Sequence, residues 1–206
     1  MLRGVSSAGR APALQAGGRR FDPGTLHLFP AFPTGRYGVC RRDPFHSPEV
    51  FRVSLTVPAV GAPAPDFSLN TTSGETVTLA QYQGKSNVLL AFFPLAFTST
   101  CTAEMCAFTE DYSAFAQYDV VVIPVSVDAV PSLKAFRDHY KMGLELASDF
   151  KREASRAYGT LMEHTFFSNR AYFLIDKQGI LRWAFVEDNP GGVRQNAEIL
   201  AEIAKL

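Results

Sequence analysis

The sequence predicts an α/β fold, a central mixed sheet flanked by helices, and three observations carry that prediction. Two apolar runs of strand length, Asn87–Phe93 and Val120–Val127, have the near-continuous hydrophobicity of strands covered on both faces. Each is followed by a stretch with helical spacing, Glu104–Phe115 and Val130–Lys141. A further pair of apolar runs, Ala171–Asp176 and Ile180–Val186, is separated only by Lys177-Gln178-Gly179, which reads as a hairpin turn with glycine supplying a positive φ.

In chain order, Gly61 to Leu69 reads as an entry strand with its preceding loop. Thr71-Thr72-Ser73-Gly74-Glu75 is a turn, and Thr76-Val77-Thr78-Leu79 the returning strand. The first core strand ends at Pro94, and the following helix places Cys101 in its first turn, with Met105, Phe108, Tyr112 and Phe115 on its apolar side. Pro124 lies inside the second core strand, where a missing N–H calls for a bulge or another ladder irregularity. Val130–Lys141 carries Pro131 near its first turn, as helices tolerate. A short helix around Arg152–Tyr158, the hairpin, and a closing helix from Gly192 to Lys205 complete the order. Parallel β-α-β connections then feed an antiparallel pair.

At 206 residues, 47% hydrophobic and 19% charged, the chain fits one ordinary globular domain plus an appendage. No apolar run approaches the roughly 18 residues of a membrane helix. The zero net charge hides an asymmetry: residues 1–50 hold seven Arg against Asp22, Asp43 and Glu49, whereas residues 51–206 hold 13 basic and 17 acidic residues. An acidic body gives no electrostatic reason to expect nucleic acid as a partner. Residues 1–50, with six Pro, seven Gly and no sustained periodicity, are expected to be a disordered leader, dispensable for activity and stability. A late true start and an organelle transit segment within residues 1–21 both stay open for it. Residues 51–206 form the expected domain. Three cysteines, Cys40, Cys101 and Cys106, are too few and too odd for a disulfide framework, which favours a reducing, cytoplasmic setting of bacterial type.

Cys101 is the informative one. At a helix start, unpaired N–H groups and the helix dipole favour negative charge and so stabilise a thiolate. Position alone leaves a nucleophile and a small core cysteine both open. Pro94, Thr98 and Cys101, however, fit P-x-x-x-T-x-x-C, and this resembles the peroxiredoxins, thiol-dependent peroxidases on a thioredoxin-like fold. Cys101-Thr102-Ala103-Glu104-Met105-Cys106-Ala107-Phe108 is similar to the bacterioferritin comigratory protein (peroxiredoxin Q) group, where a second cysteine lies five residues on. Phe93 to Thr98 also resembles a one-cysteine branch. Gly61 to Phe67, Val125-Ser126-Val127-Asp128 and Arg170 to Asp176 agree in order and spacing.

The resemblance implies a peroxidatic Cys101, a peroxide substrate, no cofactor and no metal. Arg170 would stabilise the thiolate and bind peroxide through its always-charged planar fork. Thr98 would offer a hydroxyl to the same oxygen, and Pro94 would shield the thiolate from water. Glu104 is either an acid favoured by the helix start or the partner that orients Arg170. His139 and His164 read as structural. Cys106 is implied as the resolving cysteine, forming a Cys101–Cys106 disulfide that thioredoxin or a similar dithiol reduces, in a monomer or homodimer. On an ideal helix the two Cα atoms lie about 8.6 Å apart, beyond the roughly 7 Å that a disulfide spans, so the helix start would have to unwind. The alternatives are a one-cysteine enzyme with an external thiol and a thioredoxin-fold copper carrier. The latter calls for C-x-x-x-C, which this chain lacks. An apolar wall from Phe97, Phe166 and Phe167 would favour organic peroxides.

Overall fold

Strand β3 (Asn87–Phe92) explains the architecture, because its side chains are buried alternately on two faces. Leu89 and Ala91, with Phe93 just beyond the strand, enter one hydrophobic layer. Val88, Leu90 and Phe92 enter the other. A strand apolar on both faces needs cover on both, and the chain supplies it. In the computed structural model, which describes residues 56–206, the first layer packs under α1 (Ser99–Glu110), α2 (Tyr112–Gln117), α3 (Val130–Tyr140) and α5 (Asn196–Ile203). The second takes Ala154 of α4 (Glu153–Ala157) and the adjoining Tyr158. Expectations for residues 1–50, Cys40 among them, lie outside the described residues.

The sheet joins β1 (Ser68–Thr71), β2 (Thr76–Thr78), β3, β4 (Val120–Ser126), β5 (Ala147–Ser148), β8 (Ala171–Ile175) and β9 (Leu181–Val186) in the order β2-β1-β5-β4-β3-β8-β9. β3 runs parallel to β4 and antiparallel to β8, so the sheet is mixed and the fold thioredoxin-like. A separate two-stranded ladder pairs β6 (Leu161–Met162) with β7 (Phe167–Ser168). Among the described residues no helix is long and apolar enough to cross a membrane.

Several local expectations change. The helix expected through Phe115 is interrupted at Asp111 (φ −92°, ψ 8°), whose side chain accepts a hydrogen bond from Asn196 Nδ2 at 2.8 Å. Met105, Phe108 and Phe115 are buried on both sides of the break, whereas Tyr112 is exposed; apolar spacing alone does not register such an interruption. The closing helix begins at Asn196 rather than Gly192, where Gln195 and Glu198 form a capping box. The entry strand is shorter and later than expected, with Pro63 in a lone bridge to Ile180. Pro124 needs no bulge: the β3–β4 register runs through it unbroken. Val125 O faces β3 and Ser126 O faces the other side, so Pro124 turns its missing donor towards β5, which pairs only from Val125 onward.

Asp176 builds the β8–β9 turn, accepting N–H bonds from Gln178 and Ile180 at 2.9 Å each and pairing with Arg182. Burial would raise its carboxyl, but these donors outweigh it and hold the group below the usual carboxylate range. Gly179 takes the positive φ of 80°.

The second layer makes a clean test of packing apart from chemistry. Phe92 contacts Tyr158 at 5.6 Å and Phe173 edge-on at 5.8 Å, on the face turned away from α1. Phe92→Ala is expected to lower unfolding free energy by about 3–5 kcal/mol. Urea denaturation measures this.

Candidate active site

β3 delivers the chain to Phe93 and the buried Pro94, and the loop to Thr98 turns it into α1. That loop is fixed from β4. The Asp128 carboxylate accepts the Ala96 N–H at 2.8 Å and the Ser126 hydroxyl at 2.9 Å. Phe97 takes a left-handed φ of 62° and lays its ring on Phe136, centroids 5.0 Å apart. Thr98 is the N-cap residue, extended at φ −81° and ψ 147°. Its hydroxyl donates to Leu95 O at 2.9 Å, and its carbonyl receives the first helical bond, from Thr102 N–H. Thr98 therefore sits at the helix entrance with its hydroxyl engaged locally.

Cys101 is the third residue of α1 and only 2% exposed. Its N–H precedes the first helical hydrogen bond, so it belongs to the donors a helix leaves free at its start. Arg170 meets it from the end of the neighbouring strand β8. The side chain is fully buried; Nη2 donates to Cys101 Sγ at 3.3 Å and to Pro190 O at 3.2 Å. Nη1 pairs with Glu104 Oε2. The Arg170 backbone is held too, its N–H on Asn169 Oδ1 and its carbonyl under Glu187 N–H, both at 2.9 Å. Burying a guanidinium is costly unless it is paired and hydrogen-bonded, and here each terminal nitrogen has an acceptor.

Glu104 is one turn along α1 and buried with the pair. Its second oxygen accepts a 2.6 Å hydrogen bond from Tyr172 OH, and that hydroxyl in turn accepts Arg194 N–H at 3.2 Å. Burial pushes the Tyr172 phenol up to about 12, against the opposing Arg194 bond. Cys106 is half-buried against the first hydrophobic layer, on the same unbroken helix, so the ideal separation of about 8.6 Å applies. Both cysteines are free.

Pro94, Thr98, Cys101, Glu104 and Cys106 are thus carried by one loop-helix segment, and Arg170 joins Cys101 and Glu104 through the β3–β8 pairing. Phe97 has ring contacts with Phe136, His139 and Tyr140. His139 and His164 are exposed. Sequence reasoning passed over Asp128 and Tyr172. Tyr172 had a usable signal: residues two apart on a strand share a face, so it had to lie beside Arg170. A cavity of about 590 Å³ lies at the other end of β3, against Asn87 and Trp183, away from this chemistry. Among the described residues no cluster of three His, Cys, Asp or Glu side chains could hold a metal ion.

A buried thiol at a helix start, faced by a guanidinium on a thioredoxin-like sheet, defines a thiol peroxidase. Residues 60–184 match the AhpC/TSA family, and the chain belongs to that family, within the peroxiredoxins. It is 39% identical over 137 residues to alkyl hydroperoxide reductase E of Mycobacterium tuberculosis, spanning 66% of this chain and 89% of the relative. Over 140 residues it is 39% identical to a thioredoxin peroxidase of Fasciola hepatica, 63% of this chain and 72% of that one. The reduced 2-Cys peroxiredoxin of Plasmodium vivax superposes with a TM-score of 0.66 at 31% identity, covering 71% of this chain and 94% of its own. The protein is a thiol-dependent peroxidase.

Proposed function

We propose that this peroxidase runs a two-cysteine cycle within one subunit, of the peroxiredoxin Q kind. The observation that carries it is Arg170 Nη2 at 3.3 Å from Cys101 Sγ, at the start of a helix that also bears Cys106. The Cys101 thiolate attacks the terminal oxygen of a hydroperoxide, the O–O bond breaks, and the alcohol or water leaves with a proton. Cys101 becomes the sulfenic acid. Cys106 then attacks that sulfur as a thiolate, an S–S bond forms and water departs. A dithiol of the thioredoxin type reduces the disulfide. Hydrogen peroxide and organic hydroperoxides are both proposed substrates, with the Cys101 N–H as a donor to the reacting oxygen, Thr98 as a second once its hydroxyl turns from Leu95 O, and Pro94 as the shield.

A second reading is favoured by the helix itself. α1 is unbroken from Ser99 to Glu110, and an intact helix leaves Cys106 out of reach. In that case an external thiol resolves the sulfenic acid. Intact-mass analysis after one equivalent of peroxide separates the two. Under the first reading wild type loses two hydrogens and Cys106→Ser accumulates sulfenic acid; amides from Thr102 to Phe108 also lose hydrogen-exchange protection on oxidation. Wild type halting at sulfenic acid makes Cys106 a packing residue.

A further inference from the structure

Tyr172 stands two residues after Arg170 on β8, so both side chains rise from one face of the sheet towards α1. It is completely buried. Its hydroxyl does not end on a backbone carbonyl, as a core tyrosine's commonly can. It donates to Glu104 Oε1 at 2.6 Å, while Glu104 Oε2 holds Arg170 Nη1. The same hydroxyl accepts Arg194 N–H from the segment before α5, and that segment also gives Pro190 O to Arg170 Nη2. The molecule contains its own contrast. Tyr158 is equally buried, but its hydroxyl donates to Pro65 O at 2.6 Å, on the opposite face of the sheet.

We propose that Tyr172 is a positioning residue for peroxide reduction: through Glu104 it orients the Arg170 guanidinium against Cys101 Sγ. A glutamate has three rotatable bonds, and one long, flexible guanidinium is a poor anchor for it. The phenol is carried on a ring locked in the core, so it fixes the carboxylate plane and with it the direction of Nη2. The hydroxyl is a permanent donor at physiological pH, because burial keeps it protonated. This assignment rests on the proposed roles of Cys101 and Arg170. If Cys101→Ser keeps its peroxidase activity, that underlying reading fails, whatever Tyr172 does.

The test uses the full reduced chain and two rates: the second-order constant for oxidation by hydrogen peroxide, and alkylation of Cys101 by iodoacetamide. Alkylation needs the thiolate but no oriented donor for a departing oxygen. Tyr172→Phe is expected to slow peroxide oxidation by about tenfold, the scale of one ordinary hydrogen bond, while alkylation stays within about twofold. Tyr158→Phe should leave the peroxide constant near wild type although it also loses a buried hydroxyl contact. In a Glu104→Gln background, Tyr172→Phe should add little further loss, since the relay is already broken. A peroxide constant within about twofold of wild type in Tyr172→Phe overturns the proposal, as does an equal fall in Tyr158→Phe. Should Tyr172→Phe melt far below Tyr158→Phe, the Glu104→Gln cycle decides alone: additive losses overturn the assignment and non-additive losses uphold it.

Discussion

Cys101→Ser is expected to bring peroxide turnover down to the uncatalysed background while the protein remains folded. A serine hydroxyl at this position is not ionised near neutral pH, and it is a weak nucleophile towards an O–O bond compared with a thiolate. The fold should tolerate it, because serine fits the first turn of a helix and its oxygen can still accept from Arg170 Nη2. Peroxide consumption with a dithiol reductant, measured beside circular dichroism melting, checks both halves. Turnover surviving in a folded Cys101→Ser protein would remove Cys101 from the chemistry.

Arg170→Met should produce the next largest effect. Its removal takes away the guanidinium bonded to Cys101 Sγ, and losing one such charged donor typically costs on the order of 10²–10³ in rate. It also strands Glu104, a buried carboxylate, with Tyr172 as its remaining partner. Breaking one side of a buried pair typically destabilises by about 3–5 kcal/mol. The double variant Arg170→Met, Glu104→Gln separates these consequences: it should regain much of the stability and none of the rate. Arg170→Lys should fall between, since an ammonium keeps the charge and loses the planar fork that serves Glu104 and Cys101 together. Stopped-flow oxidation by hydrogen peroxide gives the rates. A constant within tenfold of wild type in Arg170→Met counts against the assignment.

The core strands were legible because their burial on both faces leaves unbroken apolar runs, Asn87–Phe93 and Val120–Val127. The hairpin was legible from Gly179 and its neighbours. Strands of two residues, such as β5 and the β6–β7 ladder, are too short for any periodicity to form. The helix break at Asp111 escaped because Phe108, Tyr112 and Phe115 keep helical spacing across it. At the site, helical spacing placed Cys101 in the first turn of a helix, whereas Pro94, Thr98 and the role of Glu104 came from the family resemblance. Arg170 is 69 residues from Cys101 and came from the family resemblance; no local pattern says that β8 lies beside β3. Tyr172 read as one more apolar strand residue. Strand alternation could have placed it beside Arg170, but its bond to Glu104 follows only from the fold.

Glu104 lies inside the segment bounded by Cys101 and Cys106. In a cycle that closes a bond between those cysteines, the residues that unwind include the one that holds Arg170 and Tyr172. Disulfide formation therefore works against a buried ion pair, and the reduced form keeps what the oxidised form gives up. If the pair resists disruption by about 3–5 kcal/mol, the disulfide becomes more oxidising by roughly 60–110 mV, at about 30 mV per 1.4 kcal/mol. Such a bond passes its oxidising equivalents readily to an incoming dithiol. The contact that arms the cysteine would thereby also drive its recovery.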